Sequence, residues 1–463
     1  MNLFKPIPGG AEALRVCLRR RGLSTAADLV RELGLSQPTL SRALAALTDG
    51  VARIGRARRA RYALERAVAT YGSRWPLYRI DAKGRAGQVA VLHALHPSSW
   101  WFEASTPAPA WLHGEFGEGL FPGLPWFLDD ARPQGFVGRS FARQHGPPLG
   151  LPDDPNRWNA EHVVIAMLAR GDDLPGDFVL GDRSLEVALN AGRDSGQTIV
   201  SASRTRRYPD LAARAVAGEP VGSSAAGEQP KFTATIDGGR RGVRHVIVKF
   251  TDRIDSRAGR RWADLLVAEH HAAQVLREGG VGAAVTEVLD AGQRRFLEVQ
   301  RFDRVGASGR AGFATLAAFD GDHYGLQDDW ASAADRMETD GWLDDAGARR
   351  LRIAWCFAAL IGNTDAHFGN AGLEIGEGRP LGVAPVYDML PMMHRPGPNG
   401  EIVDRPFVVR LPVPRRVDVW RVAGTIAVTF WERVASDPRV TRGFQVIARK
   451  SARTVREALE AAG

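Results

Sequence analysis

Apolar residues return at helical spacing through the first fifty positions of the chain. Leu14, Cys17 and Leu18 share one face of a helix predicted over Ala11 to Arg20. Ala26, Leu29, Val30 and Leu33 mark a second, with Ser24-Thr25 as its cap and Gly34 as its stop. Leu40, Ala43, Leu44 and Leu47 mark a third, begun by Ser36 and tolerant of Pro38 in its first turn. The short connection at Gly34-Leu35 fits a helix-turn-helix. Val51 to Ile54 and Arg61 to Leu64 then predict two short strands about the basic turn Gly55 to Arg58.

The pattern is less regular over 69–150. Tyr71 to Val91 and Trp100 to Phe102 predict short strands, and the Pro-, Gly- and aromatic-rich stretch Gly119 to Asp130 reads as packed loop. Asn159 to Arg170 predicts a helix, and the polar, basic stretch Ser201 to Pro220 reads as a linker. Strands follow at Phe232 to Ile236 and His245 to Phe250, then a helix at Arg261 to Glu278 with Leu265, Leu266, Ala273 and Leu276 facing inward. A further strand ends at Phe296 to Arg304. From Leu316 the pattern is mostly helical, with strong apolar periodicity at Leu351 to Ile361, Val417 to Trp431 and Gly443 to Ala462.

Composition narrows the class. At 463 residues, 44% apolar and 25% charged, the chain is an ordinary globular protein of two or three domains. Cys17 and Cys356 lie far apart on apolar helical faces and read as core thiols in a reducing compartment. Met1 to Gly10 holds no apolar run for a signal peptide, and no stretch approaches the roughly 20 apolar residues that span a bilayer. The expectation is a cytoplasmic protein with no membrane contact. His93, His96, His113 and His145 lack ligand spacing, so no metal cluster is expected from them.

The location of the charge adds more. Residues 1–66 hold 13 of the 61 Lys+Arg and 5 of the 53 Asp+Glu, so the whole net charge of +8 sits there and the remainder balances. Thr39, Ser41 and Arg42 project from the third helix away from its apolar stripe. Arg42 suits a guanine edge, and Arg56, Arg58, Arg59 and Arg61 suit phosphates. The plain alternative is a small helical domain with a solvated basic face. Caps, wing and charge together favour double-stranded DNA. The pattern resembles the winged helix-turn-helix of bacterial transcription regulators.

Two constellations carry candidate chemistry. The first is Gly222-Ser-Ser-Ala-Ala-Gly-Glu-Gln-Pro-Lys231, a small-residue loop whose N–H groups can approach phosphates, followed by a strand, a turn and Lys249 inside an apolar strand. A lysine there is costly unless paired. Glu269 either meets it from the next helix or reaches water at the edge of the apolar stripe. The second runs from the apolar helix ending at Ile361 into Asn363-Thr-Asp-Ala-His-Phe-Gly-Asn370, a hairpin over Gly372 to Ala384, and Asp388. Helix, loop with Asp and Asn five apart, hairpin and then Asp is similar to the order of parts in a protein-kinase active site.

Ser224 to Lys231, Ile247 to Phe250, Arg301-Phe-Asp-Arg304, Asn363 to Asn370 and Ala384 to Asp388 together resemble the HipA-type serine/threonine kinases, toxins of type II toxin–antitoxin systems. The fused N-terminal unit is similar to the YjjJ-like branch. The resemblance implies an α+β chain: a winged helix-turn-helix at 1–68, a HipA N-terminal-type subdomain and linker at 69–219, a mixed α/β kinase N-lobe core at 220–315 and a helical C-lobe at 316–463. It implies ATP and Mg²⁺ as cofactors. Asp365 becomes the catalytic base with His367 beside it, and Asn370 and Asp388 the metal ligands. Lys249 with Glu269, and the loop Ala225, Ala226, Gly227, Glu228, Gln229 and Lys231, become the ATP site. Ser224 falls at the family's inhibitory autophosphorylation serine. Gln300 departs from the family's Glu before Arg-Phe-Asp-Arg, and Glu228 is an acid within a phosphate loop. Expected partners are operator DNA, bound as a homodimer, an antitoxin, and a protein substrate such as an aminoacyl-tRNA synthetase. Two other classes stay open: a transcription regulator with a kinase-like ligand-sensing body, and a small-molecule phosphotransferase. The retained Lys, Asp, Asn and Asp argue against the first.

Overall fold

Thr25 opens the helix Ala26–Leu33 with a capping box. Its hydroxyl accepts from the Asp28 N–H, and the Asp28 carboxylate accepts from the Thr25 N–H. Gly34 closes that helix in the left-handed conformation (φ 59°), and Ser36 caps Gln37–Ala46. With Gly10–Arg21 these helices bury Leu14, Cys17, Leu18, Leu29 and Leu40 together, as the spacing predicts. Strands Val51–Ile54 and Arg61–Leu64 pair antiparallel, and Ser24–Thr25 adds to the free side of the second. The computed structural model describes residues 10–47, 50–104, 109, 112–114, 117–191, 198–218, 229–403 and 405–462.

A second unit rests on a five-stranded antiparallel sheet in the order 120–121, 100–104, 86–94, 74–80, 178–180. Helix Ala160–Arg170, capped by Asn159, packs on its strand 178–180. The basic N-terminal unit seats against this sheet through Ala52, Ile54, Ala63, Leu95, Trp101 and Leu120.

The third unit carries the upper half of the candidate site. Its sheet runs in the order 286–291, 294–300, 243–250, 231–237, 199–200. Side chains alternate across each strand. Phe232, Val246, Val248, Phe250 and Phe296 point to one face, while Lys231 and Lys249 point to the other. The stretch 201–220, read from its polar composition as a linker, is in its described part a helix, Arg204–Val216. Its Tyr208, Ala212 and Ala215 recur at i, i+4 and i+7 and cover that first face. The arginines that suggested a solvated linker lie on the opposite side, except Arg204. Arg204 pairs with Glu287 and the buried Glu298 at 2.7–2.8 Å.

The long helix Arg257–Glu278 begins one turn before its sequence expectation, because Ser256 accepts from the Gly259 N–H at 2.9 Å and caps it there. Beyond it lie Leu316–His323, Trp330–Thr339, Asp345–Leu360, Val417–Ser436 and Arg442–Ala461. The hairpin Gly372–Glu374 and Gly382–Val383 projects from this helical body and pairs with Phe313–Thr315. No helix among the described residues is long and apolar enough to cross a membrane.

A buried charge cluster fixes the second unit to the third. Arg301 and Arg304 both reach Asp173 and Asp303 at 2.8–3.0 Å, and Arg304 also donates to the carbonyls of Leu174 and Gly176. Burial opposes the charge on Asp303, but the two guanidiniums outweigh it and hold this carboxyl well below the usual range. Arg301-Phe-Asp-Arg304 is therefore a joint between units, with every charge partnered.

Candidate active site

The strand Val243–Phe250 aims Lys249 away from the aromatic core and at the helix Arg257–Glu278. Glu269 lies on the inner face of that helix. Its carboxylate accepts from Lys249 Nζ at 2.5 Å, and the two side chains are 3% and 4% exposed. Of the two fates open to Glu269, the buried pair is the one observed. Asp388 accepts from the same ammonium at 2.5 Å, with its own side chain 23% exposed. Burial works against the Lys249 charge, but Asp388 and Glu269 outweigh it and raise its pKa above the ordinary lysine range. Burial raises Glu269, against the pull of Lys249. Burial also opposes the charge on Asp388, but Lys249 and Lys231 prevail, with help from His367, and keep it ionised.

Lys231 sits directly opposite Lys249 in the antiparallel register and is 2% exposed. Two buried cations facing one another are tolerable because two carboxylates converge on the same space. Gln229 enters this strand. Ser224, Ala225, Ala226, Gly227 and Glu228 lie outside the described residues.

The lower half is a loop folded by its own polar groups. The Asp365 N–H donates to Asn363 Oδ1 at 3.0 Å. The Asp365 carbonyl accepts from the His367 N–H at 2.9 Å and from Asn370 Nδ2 at 2.8 Å. His367 Nδ1 accepts from the Gly369 N–H, so its ring caps the turn Phe368–Asn370. These bonds leave the Asp365 carboxylate without a hydrogen bond or ion pair among the described residues, half-exposed at the mouth of the loop. They also commit the Asn370 amide nitrogen, which turns its oxygen free to ligate.

Two contacts tie this loop to Asp388. Asn363 Nδ2 donates to the Asp388 carbonyl at 3.4 Å, and the Tyr387 hydroxyl donates to the Gly369 carbonyl at 2.9 Å. Asp388 itself is in the left-handed region (φ 54°), a strained conformation for a residue with a Cβ. The neighbouring Val386 bridges in parallel to Ala283, just after the Glu269 helix. Asn363 and Tyr387 were visible in the sequence only as members of their motifs; their bridging roles depend on partners 25 and 18 positions away. Asp130, from the second unit, gave no sequence signal. It accepts from the Thr315 N–H at 2.6 Å and from its hydroxyl at 2.8 Å, bracing the strand that pairs with the hairpin after Asn370.

In the N-terminal unit, Ser41 and Arg42 are exposed and Thr39 is half-buried. Arg42 donates weakly to the Pro38 carbonyl and the Thr39 hydroxyl, both at 3.4 Å. Arg56 and Arg59 are exposed in the turn between the strands, and the side chain of Arg58 lies outside the described set. Arg61 is turned to Glu118 of the second unit at 3.3 Å.

This fold is that of a HipA-like toxin. Residues 223–458 match the HipA-like C-terminal domain, and residues 71–189 match the middle domain of YjjJ-like toxins. The chain belongs to that family, in its YjjJ-like branch. It is 35% identical over 438 residues to Toxin YjjJ of Escherichia coli (strain K12), covering 94% of this chain and 96% of that one. Among solved structures it is similar to a chain of the Shewanella oneidensis MR-1 complex of HipA, HipB and operator DNA. The TM-score is 0.53 at 14% identity, over 84% of this chain and 97% of the other, a likeness of fold alone. A slighter likeness, TM-score 0.36 at 10% identity over 51% of this chain and 92% of the other, is to the Helicobacter pylori proinflammatory kinase CtkA.

Proposed function

We propose that the chain is an ATP- and Mg²⁺-dependent protein kinase acting on serine or threonine. The observation that carries this reading is the buried Lys249, held at 2.5 Å by both Glu269 and Asp388, beside a loop that presents the Asp365 carboxylate, unpartnered among the described residues. Lys249 and Lys231 supply positive charge for the α- and β-phosphates. Asp388 and the oxygen of Asn370 are a two-residue set of the kind that binds Mg²⁺ together with phosphate oxygens and water. When bound, the metal neutralises charge on the phosphates. Asp365 orients the acceptor hydroxyl and takes its proton, and His367 keeps the loop in shape from the far side. Asn363 and Tyr387 hold base and metal carboxylate in one frame.

In the same reading the exposed Ser41 and Arg42, with Thr39, enter the major groove as part of a winged helix-turn-helix, and Arg56, Arg58 and Arg59 meet phosphates. DNA binding would serve autoregulation or targeting, as a homodimer on an operator and with or without an antitoxin. Phosphorylation at Ser224, four positions before Glu228 in the chain, would add about −1.5 to −2 charges to the phosphate loop and switch the kinase off.

The deciding experiment is incubation of the chain with γ-labelled ATP, Mg²⁺ and a bacterial lysate. Label should enter protein with wild type and vanish with Asp365→Asn. Label entering only small molecules would favour the phosphotransferase alternative. Equal labelling by both chains would refute the assignment.

A further inference from the structure

We infer that Arg79 and Asp130, both from the second unit, are positioning residues for Asn370 and Asp388: they hold the outer side of the hairpin that joins those two side chains. This rests on the reading of Asn370 and Asp388 as the metal pair and adds to it a role for the second unit.

Asn370 and Asp388 are 18 positions apart. The chain between them forms the hairpin Gly372–Glu374 and Gly382–Val383. Its return strand is held by the helical body. The Leu381 N–H donates to the Trp342 carbonyl at 2.7 Å, and Arg350 donates to the Val383 carbonyl. The outgoing strand has Phe313–Thr315 on its other side, three residues at the edge of a three-stranded sheet. Strands this short are marginal unless something covers them. What fixes the edge strand therefore fixes the residues that follow Asn370.

Asp130 fixes one end. Thr315 stands opposite Gly372, and the Leu316 N–H donates to the Ala371 carbonyl at 2.8 Å, one residue past Asn370. The Thr315 N–H is turned away from the hairpin, and Asp130 accepts it at 2.6 Å together with the Thr315 hydroxyl at 2.8 Å. Arg79 fixes the other end. The Ile375 N–H donates to the Gly312 carbonyl at 3.0 Å, and the Ile375 carbonyl accepts from Arg79 Nη2 at 2.9 Å. Arg79 Nε donates to Asp177, a carboxylate of the second unit, at 2.8 Å. The planar guanidinium makes both bonds at once, so the hairpin is tied to a buried acid. The approach is close: a Cβ at Gly312 would lie 2.2 Å from the Ile375 oxygen and 3.0 Å from Arg79 Nη2.

Between the two ends the edge strand reaches Asp388 as well. Phe313 packs on Tyr387, the residue before Asp388, with ring centres 6.4 Å apart. Phe302, from the joint between units, packs on Phe313 at 5.3 Å and on Tyr387 at 5.8 Å. The edge strand thus touches Ala371 beside one candidate ligand and Tyr387 beside the other. A shift of this strand moves Asn370 and Asp388 relative to one another. Mg²⁺ demands near-ideal geometry and tolerates little of that.

The test uses the full chain with Arg79→Lys, Asp130→Leu and Asp130→Asn. Amide hydrogen exchange is followed by mass spectrometry in the metal-free, nucleotide-free chain. Binding of a fluorescent ATP analogue is titrated with and without Mg²⁺ near neutral pH. Arg79→Lys keeps a charge for Asp177 but has one donor nitrogen in place of the fork. It and Asp130→Leu should quicken exchange over 370–384 by about tenfold, the size of one or two lost hydrogen bonds. The helices Val417–Ser436 and Arg442–Ala461 should exchange as in wild type. Both variants should raise the Mg²⁺ concentration for half-saturation by about 10–100-fold, the usual cost of losing an outer partner of a metal ligand. Metal-free nucleotide affinity should not change. Asp130→Asn can keep both bonds to Thr315 and should match wild type in both readouts. Should Asp130→Leu fail to fold, Thr315→Val removes the hydroxyl bond alone and carries the same expectation at smaller size. Exchange that quickens over the whole chain would make the two residues merely structural and overturn the inference. So would quicker exchange over 370–384 with an unchanged Mg²⁺ requirement, or wild-type behaviour of Arg79→Lys and Asp130→Leu. Nucleotide binding by wild type that ignores Mg²⁺ would instead sink the reading of Asn370 and Asp388 as ligands, and the inference with it.

Discussion

Lys249 Nζ donates to Asp388 Oδ1 at 2.5 Å, joining a strand residue to a carboxylate 139 positions later in the chain. The same ammonium has a second, more deeply buried partner in Glu269. Glu269 can therefore hold Lys249 in place, and in the proposed reading Asp388, the more exposed of the two, would be the one to ligate the metal.

Removing the shared cation leaves two acids without it in a poorly solvated space. Lys249→Met should destabilise the fold by about 3–5 kcal/mol, the range for breaking a buried pair from one side. Lys249→Met with Glu269→Gln should recover part of that loss in thermal unfolding but none of the nucleotide affinity. A double variant no more stable than the single one would show that the ion pair is not what Lys249 contributes.

The two candidate acids should fail in different ways. Asp365→Asn is expected to keep nucleotide affinity and lose phosphoryl transfer by about 10²–10⁴-fold, the usual share of a general base. Asp388→Asn should lose the Mg²⁺-dependent part of nucleotide binding. Titration with a fluorescent nucleotide at several Mg²⁺ concentrations separates them, and identical profiles would contradict this division of roles.

Asp130 braces Thr315, and burial pushes its pKa up from 3.8 to about 6 against the two bonds from Thr315. The folded value lies above the unfolded one. Its contribution to stability is therefore full below about pH 4 and lost as pH rises through 6. Asp130→Asn can still accept from the Thr315 N–H and can donate to its hydroxyl. Its melting temperature relative to wild type should rise between pH 4 and 7 and then level off. A difference that is flat with pH would remove this carboxyl from the pH dependence.

The turn arginines should act on DNA affinity without regard to sequence. Replacing Arg56, Arg58 and Arg59 together should weaken binding to all duplexes and flatten the salt dependence, by up to roughly 0.9 in log–log slope for each phosphate no longer neutralised. Arg42→Ala should instead relax preference at one base position. A chain lacking residues 1–68 that binds DNA with unchanged affinity would end the assignment.

What the sequence determined by itself was whatever short-range interactions enforce. Caps at Thr25, Ser36 and Asn159 set helix starts where the spacing put them, because a cap bonds to an N–H only three residues away. The Asp365-to-Asn370 loop was legible for the same reason: its bonds close within seven residues. Lys249 announced itself as an anomaly, a lysine in an apolar strand, and so predicted a partner without fixing which. Tertiary structure decided the rest. It chose Glu269 over water, since helix and strand must dock before that distance exists. It turned a polar stretch into the helix Arg204–Val216, because Glu287 and Glu298 wait 83 and 94 positions further on. It brought Asp130 to Thr315 across 185 residues. Partners of buried polar groups are set by packing between units, and periodicity along the chain carries no record of them.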